Sequence, residues 1–230
     1  MSKVLVKGRK SIPAKPIAED GSPYAWYGFG PRIWRLTTWE PERWEQERDP
    51  AAAGLPHLSR ETKRFHTWQD QGNRSLSLAH YYAKNVARGN LTMGHFLVLA
   101  GPSWVGKTHL ATAIAWEWFE DGTSVMFSRA DDLLDELRRG YRDDTYYELL
   151  QKIRQCSLLV LDDLGTEQAK AWAGERIDRI IDWRYNSRLP LVVTTNAKSE
   201  DLPDRVASWL ADGSCSMVVQ IDAEKYRGGE

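Results

Sequence analysis

Residues 101–108 read Gly-Pro-Ser-Trp-Val-Gly-Lys-Thr, which satisfies the spacing G-x-x-x-x-G-K-[ST]. The chemistry this spacing serves is the holding of a chain of phosphates. Gly101 and Gly106 let the main chain curl until its N–H groups face phosphate oxygens, at the positive end of the helix that follows. The Lys107 ammonium then neutralises β- and γ-phosphate charge, and the Thr108 hydroxyl ligates Mg²⁺. The nucleotide-contacting set expected from this loop is Gly101, Pro102, Ser103, Trp104, Val105, Gly106, Lys107, Thr108 and His109.

Two further groups extend the chemistry. Asp162 and Asp163 follow the apolar run Ser157-Leu-Leu-Val-Leu161, and a carboxylate at the tip of a buried strand is what a metal-assisted phosphoryl transfer needs. Asp162 is expected on the metal side. Asp163 is expected to orient or deprotonate the attacking water as general base. Two aspartates after a strand can also merely cap a loop, and the phosphate loop upstream decides for the catalytic reading. Asn196 leaves a second apolar run, Leu191-Val-Val-Thr194, and can hold the lytic water, sense the γ-phosphate or simply begin the turn Asn196-Ala-Lys-Ser.

These residues need elements to place them. Phe96–Ala100 suits a buried strand before the loop, and Lys107–Glu120 has helix-forming composition without Gly or Pro. Further strands are expected at 124–128, 157–161, 191–194 and 217–221. Helices are expected at 75–88, 130–139, 145–155, 169–187 and 203–211, the last with Asp201 as its cap and Gly213 as its stop. Strand and helix alternate, which is the pattern of an α/β fold with a parallel sheet covered by helices. Residues 61–230 are read as that domain. Residues 1–60 are read as an extension with a basic start, many prolines and Trp26, Trp34, Trp39 and Trp44. Those tryptophans either pack on the main domain or form a partner-binding surface.

The 230-residue chain carries a formal net charge of −1, so it is no polycation built to coat nucleic acid. Any DNA contact must come from a local patch, for which Arg138, Arg139, Arg142 and Lys198 are the candidates beside the plainer reading of a solvated face. Two cysteines, Cys156 and Cys215, form no metal-like pair. No stretch approaches the ~18 apolar residues of a membrane span. A cytoplasmic protein without membrane contact is expected.

The motif blocks 101–110, Leu158–Glu167, Arg184–Pro190, Val192–Asn196 and Tyr226–Gly228, taken in order, resemble the DnaC/DnaI helicase loaders and the related transposition ATPase IstB. The resemblance reaches weakly upstream through 53–56 and 65–68. It implies an AAA+ ATPase with a five-stranded parallel sheet of order 5-1-4-3-2, binding ATP with Mg²⁺. It makes Lys107 and Thr108 Walker A, Asp162 and Asp163 Walker B, Asn196 sensor 1 and Arg227 a sensor 2 that reaches the γ-phosphate. The chain stops three residues after Arg227, so no helical lid domain is expected. The implied partners are a hexameric replicative helicase and single-stranded DNA, contacted without sequence preference, with self-association possible. Three alternatives stand beside loading: an accessory ATPase of a transposase, a non-hydrolysing ATP-dependent adaptor and, a distant last, a small-molecule kinase. The adaptor is raised by Trp209, which stands where these families carry an arginine finger. Arg205, one turn earlier, is a substitute candidate. Trp104 departs from the small residue usual at that loop position.

Overall fold

The computed structural model describes residues 50–55, 59–92, 94–165, 171–202 and 204–226, all within one compact unit spanning Asp49–Glu230. The tryptophan-rich stretch up to residue 49 and Arg227 lie outside the described residues.

Five strands form the sheet: β1 (Phe96–Ala100), β2 (Val125–Arg129), β3 (Leu158–Leu164), β4 (Leu191–Thr195) and β5 (Ser216–Gln220). All pairings are parallel and the order is β2-β3-β4-β1-β5, the expected order read from the other edge. Alternate residues face opposite cores, as the two-residue period of a strand requires. Leu97, Leu99, Leu158, Val160 and Val192 enter one core, while Phe96, Val98, Leu159, Leu161, Leu191 and Val193 enter the other. Both faces are thus apolar, and a parallel sheet of this kind is stable only between two layers of helix.

The first layer consists of α1 (Arg74–Ala87) and α2 (Lys107–Glu120). Asn73 caps α1, its side-chain oxygen accepting the amides of Ser75 and Leu76. Helix α2 is buried on nearly every side, and its alanines Ala111, Ala113 and Ala115 allow close approach to neighbours. The second layer holds α3 (Ala130–Gly140), α4 (Tyr146–Gln155), α5 (Ala171–Asn186) and α6 (Asp204–Ala211). Leu133, Leu134 and Leu137 of α3, Ile153 of α4 and Ile177, Ile180 and Ile181 of α5 supply the apolar stripe that helical spacing predicts.

Several boundaries differ from expectation. Strand β3 runs on through both aspartates to Leu164, because β4 continues to pair beside it. Asp201 does not reach the last helix: it ends a short 3₁₀ turn, Ser199–Asp201, where its carboxylate accepts the Lys198 amide at 3.3 Å. Residues 50–55, upstream of the boundary expected near 60, pack on this same unit. The Phe127 amide of β2 donates to the Ala53 carbonyl at 2.8 Å, and Ala53 and Leu55 are buried. That contact covers an outer strand of the sheet.

At the opposite end from the phosphate loop lies Arg184, whose side chain is fully buried. Its guanidinium donates to the carbonyls of Ile153, Cys156, Ser157 and Pro190 at 2.6–3.3 Å. One planar fork thereby ties the end of α4 to the residues that lead into β3 and β4.

Candidate nucleotide-binding site

The site gathers at the carboxyl ends of β1, β3 and β4, three neighbouring strands, where open α/β sheets bind ligands. The loop leaving β1 turns on two glycines. At Gly101 (φ 153°) a Cβ would run into the Ile221 carbonyl, and at Gly106 (φ 97°) it would lie 2.5 Å from the Trp68 ring. Neither position has room for a side chain. Gly106 then leads into α2 in left-handed conformation with no side-chain cap, which leaves the first amides of α2 for an anion.

Lys107 is 5% exposed, and its Nζ donates to the Gly101 and Pro102 carbonyls at 2.9 and 2.7 Å. Burial lowers its pKa, while the Asp163 and Asp162 carboxylates oppose that shift. Thr108 Oγ1 donates to Asp162 at 2.9 Å. Asp162 also accepts Thr194 Oγ1 at 2.6 Å, and the Thr194 oxygen accepts the Asp163 amide at 2.9 Å. One hydroxyl of β4 therefore holds the Asp162 carboxylate and the Asp163 main chain.

The two aspartates diverge because the strand bulges. Leu161 pairs with Val193 and Leu164 with Thr195, so β3 spends one residue more than β4 over this stretch. Asp163 takes up the excess in a left-handed conformation, φ 59°. A bulge of this kind re-aims a side chain next to a site. Asp163 turns to Arg129, the last residue of β2, whose Nη2 lies 3.5 Å from its carboxylate. Asn196 Nδ2 donates to Ser103 Oγ at 3.4 Å, which brings the end of β4 onto the loop itself. A cleft of about 800 Å³ opens beside Thr108 and Asp162 and is bordered by Arg129, Asp132, Glu136 and Lys152.

Other candidates are placed differently. The His109 imidazole is engaged by the segment 64–68. Its Nε2 contacts the Arg64 carbonyl at 2.9 Å and Thr67 Oγ1 at 3.3 Å, and its ring meets Trp68 edge-on. Trp209 is half-buried against the second core, with the Arg205 guanidinium over its ring at 5.0 Å and 3.9 Å from Asp182. Arg138 pairs with Asp135 at 2.8 Å and Lys198 with Glu200 at 3.5 Å. Among the described residues no cluster suited to an all-protein metal site occurs. A Walker-type site fits that finding, since Mg²⁺ there takes one hydroxyl and one carboxylate and completes its shell with phosphate and water.

Sequence reasoning missed Thr194, Arg129 and Trp68. A hydroxyl inside an otherwise apolar strand was the available signal for Thr194. Trp68 packs on the phosphate loop together with Phe65, His80 and His109. Burial lowers the pKa of His80 and His109 below the ordinary 6.5, so both rings are held neutral. The unfolded chain takes up these protons first on acidification. Stability is therefore complete above about pH 6.5 and declines as pH falls from there to the depressed folded values. Thermal unfolding should give a Tm that is level from roughly pH 8 to 6.5 and drops towards pH 5. His80→Gln should shrink the drop, and an equal drop in that variant would contradict the assignment.

Fold and site together define a nucleotide-binding domain of the AAA+ ATPase class. Residues 90–214 match the family described as IstB-like ATP binding protein, more than half of the chain, and the chain belongs to that family. The ATP-binding protein of insertion sequence IS232 from Bacillus thuringiensis subsp. berliner is 34% identical over 57% of this chain and 55% of its own. The replicative helicase loader DnaC of Escherichia coli K12 is 28% identical over 66% of this chain and 63% of its own. This chain thus spans under two thirds of either relative. A crystal structure of the DnaC helicase loader superposes with a TM-score of 0.64 at 25% identity, covering 73% of this chain and all of that one. No helix among the described residues is long and apolar enough to cross a membrane.

Proposed function

We propose that the protein binds and hydrolyses Mg-ATP and uses nucleotide occupancy as a switch in delivering a hexameric replicative helicase onto single-stranded DNA. The observation that carries the ATPase reading is the bonded set Thr108, Asp162 and Thr194, which joins the phosphate loop to two strand ends. Thr108 and Asp162 are the metal side, where Mg²⁺ supplies neutralisation of phosphate charge. Lys107 holds the β- and γ-phosphates, Asp163 receives the proton of the attacking water, and Asn196 orients that water beside Ser103. Arg227 keeps the role that the resemblance implies.

Likeness to DnaC supports the helicase as partner. Arg138, Arg139 and Arg142, at and just beyond the end of α3, are exposed and support sequence-independent contact with DNA phosphates. In this reading the protein works in the cytoplasm. A second reading, an accessory ATPase of a transposase, is favoured by the family match and by the insertion-sequence relative.

The deciding experiment is co-purification of the full chain with the host's replicative helicase in ATP and in ADP. A complex that depends on which nucleotide is present is expected. Absence of a complex in both nucleotides removes the loader reading, and nucleotide-dependent capture of target DNA with a transposase would put the second in its place.

A further inference from the structure

Trp104 sits within the phosphate loop, yet the geometry of the site described above gives it no task. It is 75% exposed, and its backbone is left-handed at φ 70°. Both properties are unfavourable. An aromatic residue at positive φ sets its Cβ against its own backbone, where glycine or asparagine would sit without strain. An indole in water forfeits the burial that normally accounts for its presence. Strained backbone at a ligand loop persists when neighbouring structure over-determines it, and here the neighbour is visible. The Tyr226 amide donates to the Trp104 carbonyl at 2.8 Å, and the Tyr226 ring is itself 46% exposed. The segment leading to Tyr226 is tied down as well: the Ile221 amide donates to Ala100, and the Asp222 carbonyl accepts from Asn73 and Ser75. The loop's exposed ring is thus carried on a pinned backbone.

The surroundings narrow what that ring can meet. The γ-phosphate end is marked by polar groups, namely Lys107, Asp162 and Asn196 on Ser103. Trp68 fills the space against Gly106. Among the described residues the Trp104 indole stacks on no other ring and lies under no cation. Phosphates on this loop are held by backbone N–H groups, so a side chain at position 104 is free to act on what the phosphates are attached to.

We propose that Trp104, backed by Tyr226, is a nucleoside-binding residue. Its indole lies against the base or ribose of the bound nucleotide, so that the loop grips both the phosphates and the nucleoside. The inference rests on the Mg-ATP reading above. Stacking on an aromatic face is tolerant of base identity, so the ring contributes affinity more than choice of base.

The test compares the wild-type chain with Trp104→Asn and Trp104→Phe by calorimetric titration with Mg-ATP and with Mg-tripolyphosphate, alongside thermal melts. Asparagine accepts the left-handed backbone but has no ring. Trp104→Asn should melt at or above the wild-type temperature, lose roughly tenfold in affinity for Mg-ATP and keep its affinity for tripolyphosphate. Trp104→Phe should keep most of the ATP affinity. The proposal is overturned if Trp104→Asn binds Mg-ATP as wild type does, or if it loses ATP and tripolyphosphate alike, since the residue then only shapes the loop. Unchanged ATP affinity with altered sedimentation would also overturn it, by assigning the ring to contact between copies. Wild-type protein with no affinity for Mg-ATP removes this inference and the ATPase reading together.

Discussion

Lys107→Ala is expected to weaken Mg-ATP binding by one to two orders of magnitude and to abolish hydrolysis while the fold survives. The ammonium is held inside the loop by two carbonyls and lies in the field of Asp162 and Asp163, so its position is prepared before any phosphate arrives. A hydrogen bond to a charged group contributes about 1.5–3 kcal/mol, and each ~1.4 kcal/mol is tenfold in Kd. Asp163→Asn should behave differently. The bond from its main-chain amide to Thr194 survives the change, so binding should persist while turnover falls, because the carboxylate proposed to receive the water's proton is gone. Titration and steady-state phosphate release on both variants separate these outcomes. Equal turnover in wild type and Lys107→Ala would leave the protein a binder without catalysis, which is the adaptor alternative.

Arg184→Met should remove a large share of the stability of the domain. Methionine fills similar space but donates nothing, so the carbonyls of Ile153, Cys156, Ser157 and Pro190 lose their shared partner in a region closed to water. The Pro190 carbonyl keeps the Leu159 amide at 3.3 Å, and each buried group left without a donor costs about 1–3 kcal/mol. Even with partial relaxation the loss is about 4 kcal/mol or more, against the ~5–15 kcal/mol by which domains are stable. Arg184→Lys should recover only part, since an ammonium has three donors on one atom and cannot span four carbonyls. Urea unfolding checks this directly, and a methionine variant within about 1 kcal/mol of wild type would show that water takes over the carbonyls.

The difference between these two arginine and lysine roles is also the difference in what could be read from the sequence. Lys107 belongs to a motif whose meaning is local: eight consecutive residues, a strand before and a helix after. The sheet order followed from the resemblance, and the apolar periods located the five strands and the six longer helices to within a few residues, but not the short helical turns at Ser59–Thr62, Phe65–Thr67 and Ser199–Asp201. Arg184 stood in a motif block without a task, because its partners lie on three elements that only the fold brings together. Thr194 and Arg129 were hidden for the same reason. Each acts across a strand boundary, in a register that the bulge at Asp162 and Asp163 shifts by one residue. His109 was included by adjacency, and the fold places its ring edge-on to Trp68. Charge runs were the least informative, since opposite charges nearby engage Arg138 and Lys198.

The strip of chain at residues 50–55 along β2 has a further consequence. The stretch matched by the family model, 90–214, holds the phosphate loop, Asp162, Asp163 and Asn196 but leaves out part of what covers the sheet. Trimmed to those bounds the chain would lose the Ala53 carbonyl beside Phe127, helix α1 from one face and β5 from the other side of β1. Bare backbone on two outer strands and an uncovered apolar layer invite one copy to adhere to the next. The segments outside the matched stretch thus seal two edges and one face of the sheet, and so act as a built-in guard against adhesion between copies.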